Sequence, residues 1–193
     1  RGPSDDDFWT WRELMYRCLD RGGPEEIEAI TALAFMEMLE GGFTRVAEFH
    51  YLHRAPGGVP YDNLAELSER ILAAAADTGI GLTLLPVLYQ QGGLDGRPLA
   101  GGQRRFFNDT DSFLRLVCAA ETALARLPGD AALGIAPHSL RAVSAENLRE
   151  AVALRGSGPL HMHIAEQELE IEEVVAATGR RPVEWLFDNH VVD

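Results

Sequence analysis

The stretch Pro159-Leu160-His161-Met162-His163-Ile164-Ala165-Glu166-Gln167 has the pattern of a short apolar strand that leads into a carboxylate. Side chains alternate between the two faces of a strand, so His161 and His163 are predicted to lie on one side. Two such histidines are either hydrogen-bonded core residues or ligands for a metal. Glu166, just past the strand end, favours a functional site, because catalytic residues of βα folds lie there.

The rest of the chain alternates predicted strands with predicted helices. Strands are predicted near residues 43–51, 80–89, 131–137 and 159–165. Helices are predicted from Asp5 or Asp6 to Cys18, from Pro24 to Gly41, from Asn63 to Thr78, from Asp111 to Leu127, from Ser144 onward, from Gln167 to Thr178 and from Pro182 to Asn189. This alternation is typical of βαβ units with a parallel sheet. The run from Ile80 to Tyr89 is apolar enough for a strand buried on both faces.

Polar side chains stand where each predicted strand ends. They are His50 and Tyr51, Tyr89 and Gln90, His138 and Arg141, and His163 and Glu166. Functional groups at the carboxyl ends of successive strands are typical of the mouth of a (β/α)8 barrel, which needs about 250 residues when complete. No Gly-x-Gly-x-x-Gly motif follows any strand, which counts against a dinucleotide fold. The sequence therefore predicts an α/β fold, with residues 1–193 as one domain that is the central section of a barrel incomplete at both ends.

The composition limits the classes of partner. With 46% hydrophobic and 24% charged residues, the 193-residue chain is typical of a soluble globular protein. No apolar run approaches the roughly 20 residues of a membrane span, and the segment from Arg1 to Asp7 does not resemble a signal peptide. The net charge of −13 argues against nucleic acid. An anionic substrate would need local arginines.

The two cysteines, Cys18 and Cys118, lie within helical patterns and lack the spacing of a zinc knuckle. We expect both to be buried thiols of a reducing compartment, which predicts a cytoplasmic protein. The glycine-rich segment from Gln91 to Arg105 is longer than a simple connection. It is either a mobile surface excursion or a wall or lid over the strand ends, and the sequence gives no role for Gln103-Arg104-Arg105.

Several motifs together resemble the formimidoylglutamate deiminases of the amidohydrolase superfamily, over almost the whole chain. They are Thr44-Arg45-Val46-Ala47-Glu48-Phe49-His50-Tyr51-Leu52-His53, Gly81-Leu82-Thr83-Leu84-Leu85-Pro86-Val87-Leu88-Tyr89, Gly102-Gln103-Arg104-Arg105-Phe106, Ala136-Pro137-His138-Ser139-Leu140-Arg141-Ala142 and His161-Met162-His163-Ile164-Ala165-Glu166-Gln167. The resemblance implies hydrolysis of the formimino C–N bond of N-formimino-L-glutamate to N-formyl-L-glutamate and ammonia, in histidine breakdown. It also implies one divalent metal, usually zinc, which activates water near neutral pH. We further expect a small-molecule substrate and a homodimer.

The resemblance also assigns roles to single residues. His163 matches the metal-binding histidine of the family's fifth strand, whereas His161 could be a neighbour that shapes the pocket. Glu166 matches the general acid/base, which moves a proton from the attacking water to the leaving nitrogen. The substrate's carboxylates need cationic and hydrogen-bonding partners. The residues that match these substrate positions are Arg12, Tyr51, His138 and Arg141.

Other expected ligands have no match in this sequence. The family's His-x-His of the first strand would precede Arg1, and the histidine of the sixth strand and the aspartate of the eighth would follow Asp193. The segment alone is therefore not expected to hold metal tightly or to turn over. Two alternatives stay open: a related aminohydrolase acting on a nucleobase or a guanidino compound, and a non-catalytic barrel fragment. The pair His138 and Arg141, together with Arg12, favours a formimidoylglutamate deiminase, because a nucleobase enzyme would not need these residues arranged for carboxylates.

Overall fold

A parallel sheet flanked by helices forms the described part of the chain. The computed structural model describes residues 14, 15, 19, 21–127, 130–154 and 156–189. The strands are β1 (Arg45–His50), β2 (Gly81–Leu88), β3 (Ala131–Leu133) and β4 (Ala136–Pro137). The α-helices are α1 (Pro24–Glu40), α2 (Glu66–Thr78), α3 (Thr110–Leu124), α4 (Ala145–Leu154), α5 (Glu168–Thr178) and α6 (Pro182–Asn189), and short 3-10 helices cover Pro56–Gly58 and Gly101–Phe106.

All strand pairs are parallel and follow the order of the chain. β1 pairs with β2 from Arg45 opposite Gly81 to His50 opposite Pro86. On its other edge β2 pairs with β3 and then with β4, and Leu160 forms a single parallel bridge with Ile135. Because strands that succeed one another in sequence are neighbours in the sheet, all strand ends that carry the predicted site face the same edge. The predicted α/β barrel section is confirmed.

Two of the predicted strands are shorter than expected. The strand predicted at 131–137 is broken between β3 and β4, because Gly134 lies against the backbone of Pro159, where a Cβ would collide with the carbonyl oxygen. The strand predicted at 159–165 is reduced to the Leu160 bridge. Its backbone still follows β4, with His161 N–H donating to the Ile135 carbonyl at 3.1 Å. Because β3 and β4 are separated by this break, the segment around Leu160 has no continuous strand with which to form a ladder of hydrogen bonds.

Helix boundaries follow local chemistry. Pro24 occupies the first turn of α1, and the Glu26 side chain accepts the Gly23 N–H at 3.0 Å. The Asp109 carboxylate caps α3 by accepting the Ser112 N–H at 2.7 Å. α2 ends at Gly79, whose φ of 78° is left-handed and suits glycine. The predicted helices within the described residues are therefore present, with ends moved by a few residues.

The core lies on both sides of β2, as its apolar run predicts. Leu84, Leu85, Val87 and Leu88 have no exposed surface. Phe113 and Leu116 of α3 and Ile71 and Leu72 of α2 are the helical residues that cover them, and all are buried. Burial of a leucine or phenylalanine contributes about 1.5–3 kcal/mol relative to exposure. The central strand therefore anchors the edge on which the site lies.

The thiol prediction is wrong for Cys118, which is exposed. Phe113, Leu116 and Val117 fill the inward face of α3, so helical rotation places position 118 toward solvent. Cys18 and Arg12 lie outside the described residues, as does most of the first predicted helix. Within the described ranges, no helix combines the length and the apolar character needed to cross a membrane.

Candidate active site

Two histidines meet at the ends of neighbouring chain segments. His163 donates its backbone N–H to the carbonyl of His138 at 2.9 Å, and the two imidazole rings are 5.0 Å apart between centroids. The His138 ring contacts the Ser139 hydroxyl through Nδ1 at 3.0 Å. The residue predicted as a metal ligand and the residue predicted to bind substrate are thus direct neighbours, as the strand-end rule requires.

Aromatic rings surround this pair. Phe49 at the end of β1 packs edge-on against His163 at 4.4 Å, and Tyr89 packs against His138 at 4.5 Å. Tyr51 lies 6.4 Å from His138 and 4.7 Å from Phe106. Tyr51, which the resemblance assigns to substrate binding, therefore lies in the same aromatic cluster as His138. Rings of this kind exclude water, which strengthens electrostatic interactions with anything bound beside them.

The long loop after β2 is a wall of this cluster rather than a free surface excursion. Gln103 is only 7% exposed, and its Nε2 donates to the hydroxyl of Tyr89 at 3.1 Å. The loop therefore holds the ring that contacts His138. The sequence singled out Tyr89 as a strand-end group but gave Gln103 no role, because the contact joins two segments whose approach no local pattern reveals.

Arg105 fixes the far end of the loop. Its side chain is fully buried, and its Nε donates to the carbonyl of Arg54 at 2.8 Å. A second guanidinium nitrogen donates to the carbonyl of Leu19. The carbonyl of Arg105 in turn accepts the N–H groups of His53 and Arg54. A buried cation surrounded by carbonyl oxygens is a structural tie, so this arginine is not available to a ligand.

The second half of the site is a cluster of one arginine and two glutamates. Arg141 Nη2 lies 3.3 Å from Glu166 Oε2 and 3.6 Å from Glu170 Oε2. Glu166 is exposed, whereas Glu170 is buried. Sequence reasoning missed Glu170, although its position four residues after Glu166 at the start of a predicted helix was visible. Arg141 and Glu166 were both predicted site residues, and the structure brings them into contact.

His50 and His53 form a separate buried pair. Their rings are 5.3 Å apart and nearly perpendicular, and His53 Nε2 contacts the Val87 carbonyl at 2.9 Å. Burial lowers the pKa of His50 well below its ordinary value, an effect to which the neighbouring His53 adds. Burial also lowers the pKa of His53 from 6.5 to about 4, against the opposing effect of the Val87 hydrogen bond. Both rings are therefore neutral at pH 7.

His163 fits one position of a metal centre. Its Nδ1 is buried and finds no hydrogen-bond partner among the described residues, and imidazole nitrogens are common ligands of zinc. The described ranges contain no group of three histidine, cysteine, aspartate or glutamate residues that could hold a metal ion. A complete centre would need further ligands, as the resemblance implies. His161 is exposed and makes no ring contact with the His138 and His163 pair among the described residues.

Comparisons with known proteins give the family. The model of the amidohydrolase family matches residues 1–193. Formimidoylglutamate deiminase from Pseudomonas aeruginosa is 47% identical over 196 residues, which cover 100% of this chain and 42% of that protein. The crystal structure of an amidohydrolase from Brucella melitensis is 49% identical with a TM-score of 0.93, over 100% of this chain and 43% of that one. The fold alone is shared with a zinc-bound adenosine deaminase from Xanthomonas campestris, at 22% identity and a TM-score of 0.68 over 97% of this chain and 38% of that one.

These similarities extend along the whole described sheet and both halves of the site. The chain spans about two fifths of the length of the P. aeruginosa protein and a similar share of the B. melitensis structure. The resemblance inferred from the sequence motifs is confirmed by the identity over the full chain. This chain belongs to the amidohydrolase family.

Proposed function

We propose that the whole protein hydrolyses the formimino C–N bond of N-formimino-L-glutamate, giving N-formyl-L-glutamate and ammonia, as a step of histidine breakdown. Residues 1–193 would supply the central part of its catalytic barrel as one domain. The observation that carries the proposal is the 47% identity over the full chain to a formimidoylglutamate deiminase. The contact between Arg141 and Glu166 supports it, because it joins the proposed acid/base group to the proposed carboxylate-binding cation.

In this proposal His163 is one ligand of a divalent metal, which we propose to be zinc. The buried, unpartnered Nδ1 among the described residues supports an unfilled bonding position on this ring. The zinc-bound X. campestris structure has the same fold. When bound, the metal supplies the Lewis acidity that makes water nucleophilic near neutral pH. Phe49 and His138, packed against the ring, hold its plane.

Glu166 moves the proton in this scheme. Water adds to the formimino carbon, and the C–N bond to the terminal nitrogen then breaks. Both protons of the water reach that nitrogen by way of Glu166, one as the water adds and one as the bond breaks, so that it leaves as ammonia. One water is consumed and one ammonia is formed. The ion pair with Arg141 at 3.3 Å restricts where this carboxylate can lie.

The substrate's carboxylates meet a polar wall in this proposal. Arg141 has a buried Nε that finds no partner among the described residues, which leaves one N–H for an incoming carboxylate oxygen. His138 and Tyr51 belong to the aromatic cluster of the site and supply further hydrogen-bonding groups. Arg12, which lies outside the described residues, completes the proposed set. A charge-assisted hydrogen bond of this kind is about twice as strong as a neutral one.

We also propose that the protein is a cytoplasmic homodimer. The dimer rests on the resemblance to the deiminases, and a molar mass from light scattering tests it. The cytoplasmic location rests on cysteine usage without disulfide spacing. Fractionation of cells that express the protein tests that location.

The test of the reaction is ammonia release from N-formimino-L-glutamate by the full-length protein, before and after zinc removal by a chelator and again after zinc is restored. We expect zinc-dependent release with the wild type. Glu166→Gln should retain zinc and lose turnover by at least about a hundredfold, the usual contribution of acid/base catalysis. Glu168→Gln, an exposed neighbour, is the matched control.

Two results would overturn this proposal. A folded, zinc-loaded protein that releases no ammonia from the formimino substrate, but does so from a nucleobase or a guanidino compound, would assign it to another aminohydrolase. Absence of turnover on all of these substrates would favour a non-catalytic barrel. Normal turnover by Glu166→Gln would remove Glu166 from the mechanism.

A further inference from the structure

Glu170 is a buried carboxylate to which no role has been assigned so far. It lies in the first turn of α5 and is 1% exposed, whereas Glu168 and Glu172 of the same helix are exposed. A carboxylate is buried only where partners satisfy it. Its Oε1 accepts the Ala165 N–H at 3.2 Å, and its Oε2 accepts the Glu166 N–H at 3.1 Å.

The backbone that Glu170 holds is unusual. Ala165 has a φ of 55°, the left-handed region, and no other non-glycine among the described residues has a positive φ. An L-residue is disfavoured in this conformation, so it persists only where surrounding contacts fix it. The hydrogen bonds to Glu170 come from Ala165 and from the residue that follows it. They therefore fix the turn that aims the Glu166 side chain.

The same carboxylate also faces Arg141. Glu170 Oε2 lies 3.6 Å from Arg141 Nη2, the nitrogen that reaches Glu166 at 3.3 Å. The Glu170 side chain has no exposed surface, whereas that of Glu166 is 33% exposed. The guanidinium is thus held from its buried side by Glu170, and Glu166 contacts it from the side that faces solvent.

We propose that Glu170 is a positioning residue that sets the geometry of both Glu166 and Arg141. It fixes Glu166 through the backbone of the left-handed turn and Arg141 through charge. It has no contact with the reacting atoms in this scheme and acts only through these two residues. The consequence for turnover rests on the function proposed above for Glu166 and Arg141, whereas the contacts themselves do not.

The first experiment measures hydrogen exchange at the amides of Ala165 and Glu166 in the full-length protein. Glu170→Gln keeps the shape of the side chain but replaces one accepting oxygen by an NH2 group. We expect exchange at these amides to accelerate by about tenfold or more, as loss of a hydrogen bond to a charged group implies. Glu172→Gln, exposed on the same helix, should leave the exchange unchanged. Equal exchange in both variants would overturn the proposal.

The second experiment measures kcat, KM and the pH profile of kcat per folded, zinc-loaded molecule. Glu170→Gln should lower kcat by about tenfold to a hundredfold, raise KM and alter the pH profile, while Glu172→Gln matches the wild type. A purely structural role would change the folded fraction alone. Adding Ala165→Gly should restore part of the lost kcat, because glycine adopts the left-handed conformation without the penalty of a Cβ. Wild-type constants in Glu170→Gln would overturn the proposal.

The two experiments separate this proposal from the proposed reaction. If the wild type releases no ammonia, the reaction is wrong, and the exchange rates alone decide the role of Glu170. If Glu170→Gln does not fold, Glu170→Asp takes its place, since its shorter side chain withdraws the oxygens from both amides. Faster exchange in Glu170→Asp than in Glu172→Gln supports the proposal, and equal exchange overturns it.

Discussion

The buried pair His50 and His53 predicts how stability depends on pH. Burial lowers the pKa of His53 to about 4 and that of His50 well below its ordinary value, whereas both titrate near 6.5 in the unfolded chain. At a pH between these values the unfolded state binds more protons than the folded state. The free energy of unfolding therefore falls as the pH falls through this window.

The magnitude follows from the gap between the two pKa values of His53. A folded-state pKa of about 4 against about 6.5 in the unfolded chain corresponds to about 3 kcal/mol of stability. This stability is fully present above about pH 6.5 and is lost by about pH 4, at about 1.4 kcal/mol per pH unit. His50 steepens the loss, because its pKa is lowered in the same direction. Below about pH 4 His53 contributes no further change.

The assay is urea denaturation of the full-length protein followed by far-UV circular dichroism, at fixed ionic strength between about pH 4.5 and pH 7. His53→Gln removes the titrating ring and keeps an N–H donor for the Val87 carbonyl. Carboxylates titrate alike in both proteins, so the difference between the two curves reports the titration of His53 together with its effect on the pKa of His50. We expect the variant's curve to be flatter by about 1.4 kcal/mol per pH unit between about pH 4.5 and pH 6.

His161→Gln is the matched control, because this ring is exposed and, within the part of the chain that the structure describes, makes no ring contact with His50 or His53. The slope assigned to His53 should persist in this variant. If His53→Gln also keeps the wild-type slope, the histidine is not held neutral by burial. The reasoning from burial to stability would then be wrong.

Three further predictions concern the site and the scaffold. Arg141→Ala should raise KM for N-formimino-L-glutamate by about tenfold to a hundredfold through loss of a charged hydrogen bond, and an unchanged KM in steady-state kinetics would contradict its assignment. Asp109→Ala should lower the free energy of unfolding in urea by about 1 kcal/mol. Hydrogen bonds from Ser112 lower the pKa of Asp109, so this loss should disappear as the pH falls below about 4. Phe113→Ala should lower the free energy of unfolding by about 3–5 kcal/mol. Leu114→Ala, at a neighbour that is 41% exposed, should lower it by at most about 0.5 kcal/mol. Equal losses in the two variants would contradict the assigned packing.

The parts of the fold that local chemistry determines could be predicted from the sequence. The apolar run of β2 was predicted to be buried on both faces, and Leu84, Leu85, Val87 and Leu88 have no exposed surface. Convergence of His138 and His163 followed from the rule that parallel strands end at one edge. Tyr51, Arg141 and Glu166 were placed by the same rule and by the resemblance.

Features that depend on contact between distant segments could not be predicted. The break at Gly134 results from its approach to Pro159, which no property of either residue alone reveals. Alanine has no preference for the left-handed conformation, so the turn at Ala165 and the role of Glu170 were hidden. Cys118 was misplaced because a helical pattern identifies a buried face only when its phase is followed residue by residue.

The tie made by Arg105 has a consequence for the order of folding. Its guanidinium contacts the carbonyl of Arg54, 51 residues away, and that of Leu19, 86 residues away. Guanidinium stays charged throughout the physiological range, so a half-docked loop would leave a cation in an apolar interior. Closure of the loop is therefore expected to be a late, all-or-none step that waits for both distant segments. The wall of the site would therefore form only after the segments that carry Leu19 and Arg54 are in place.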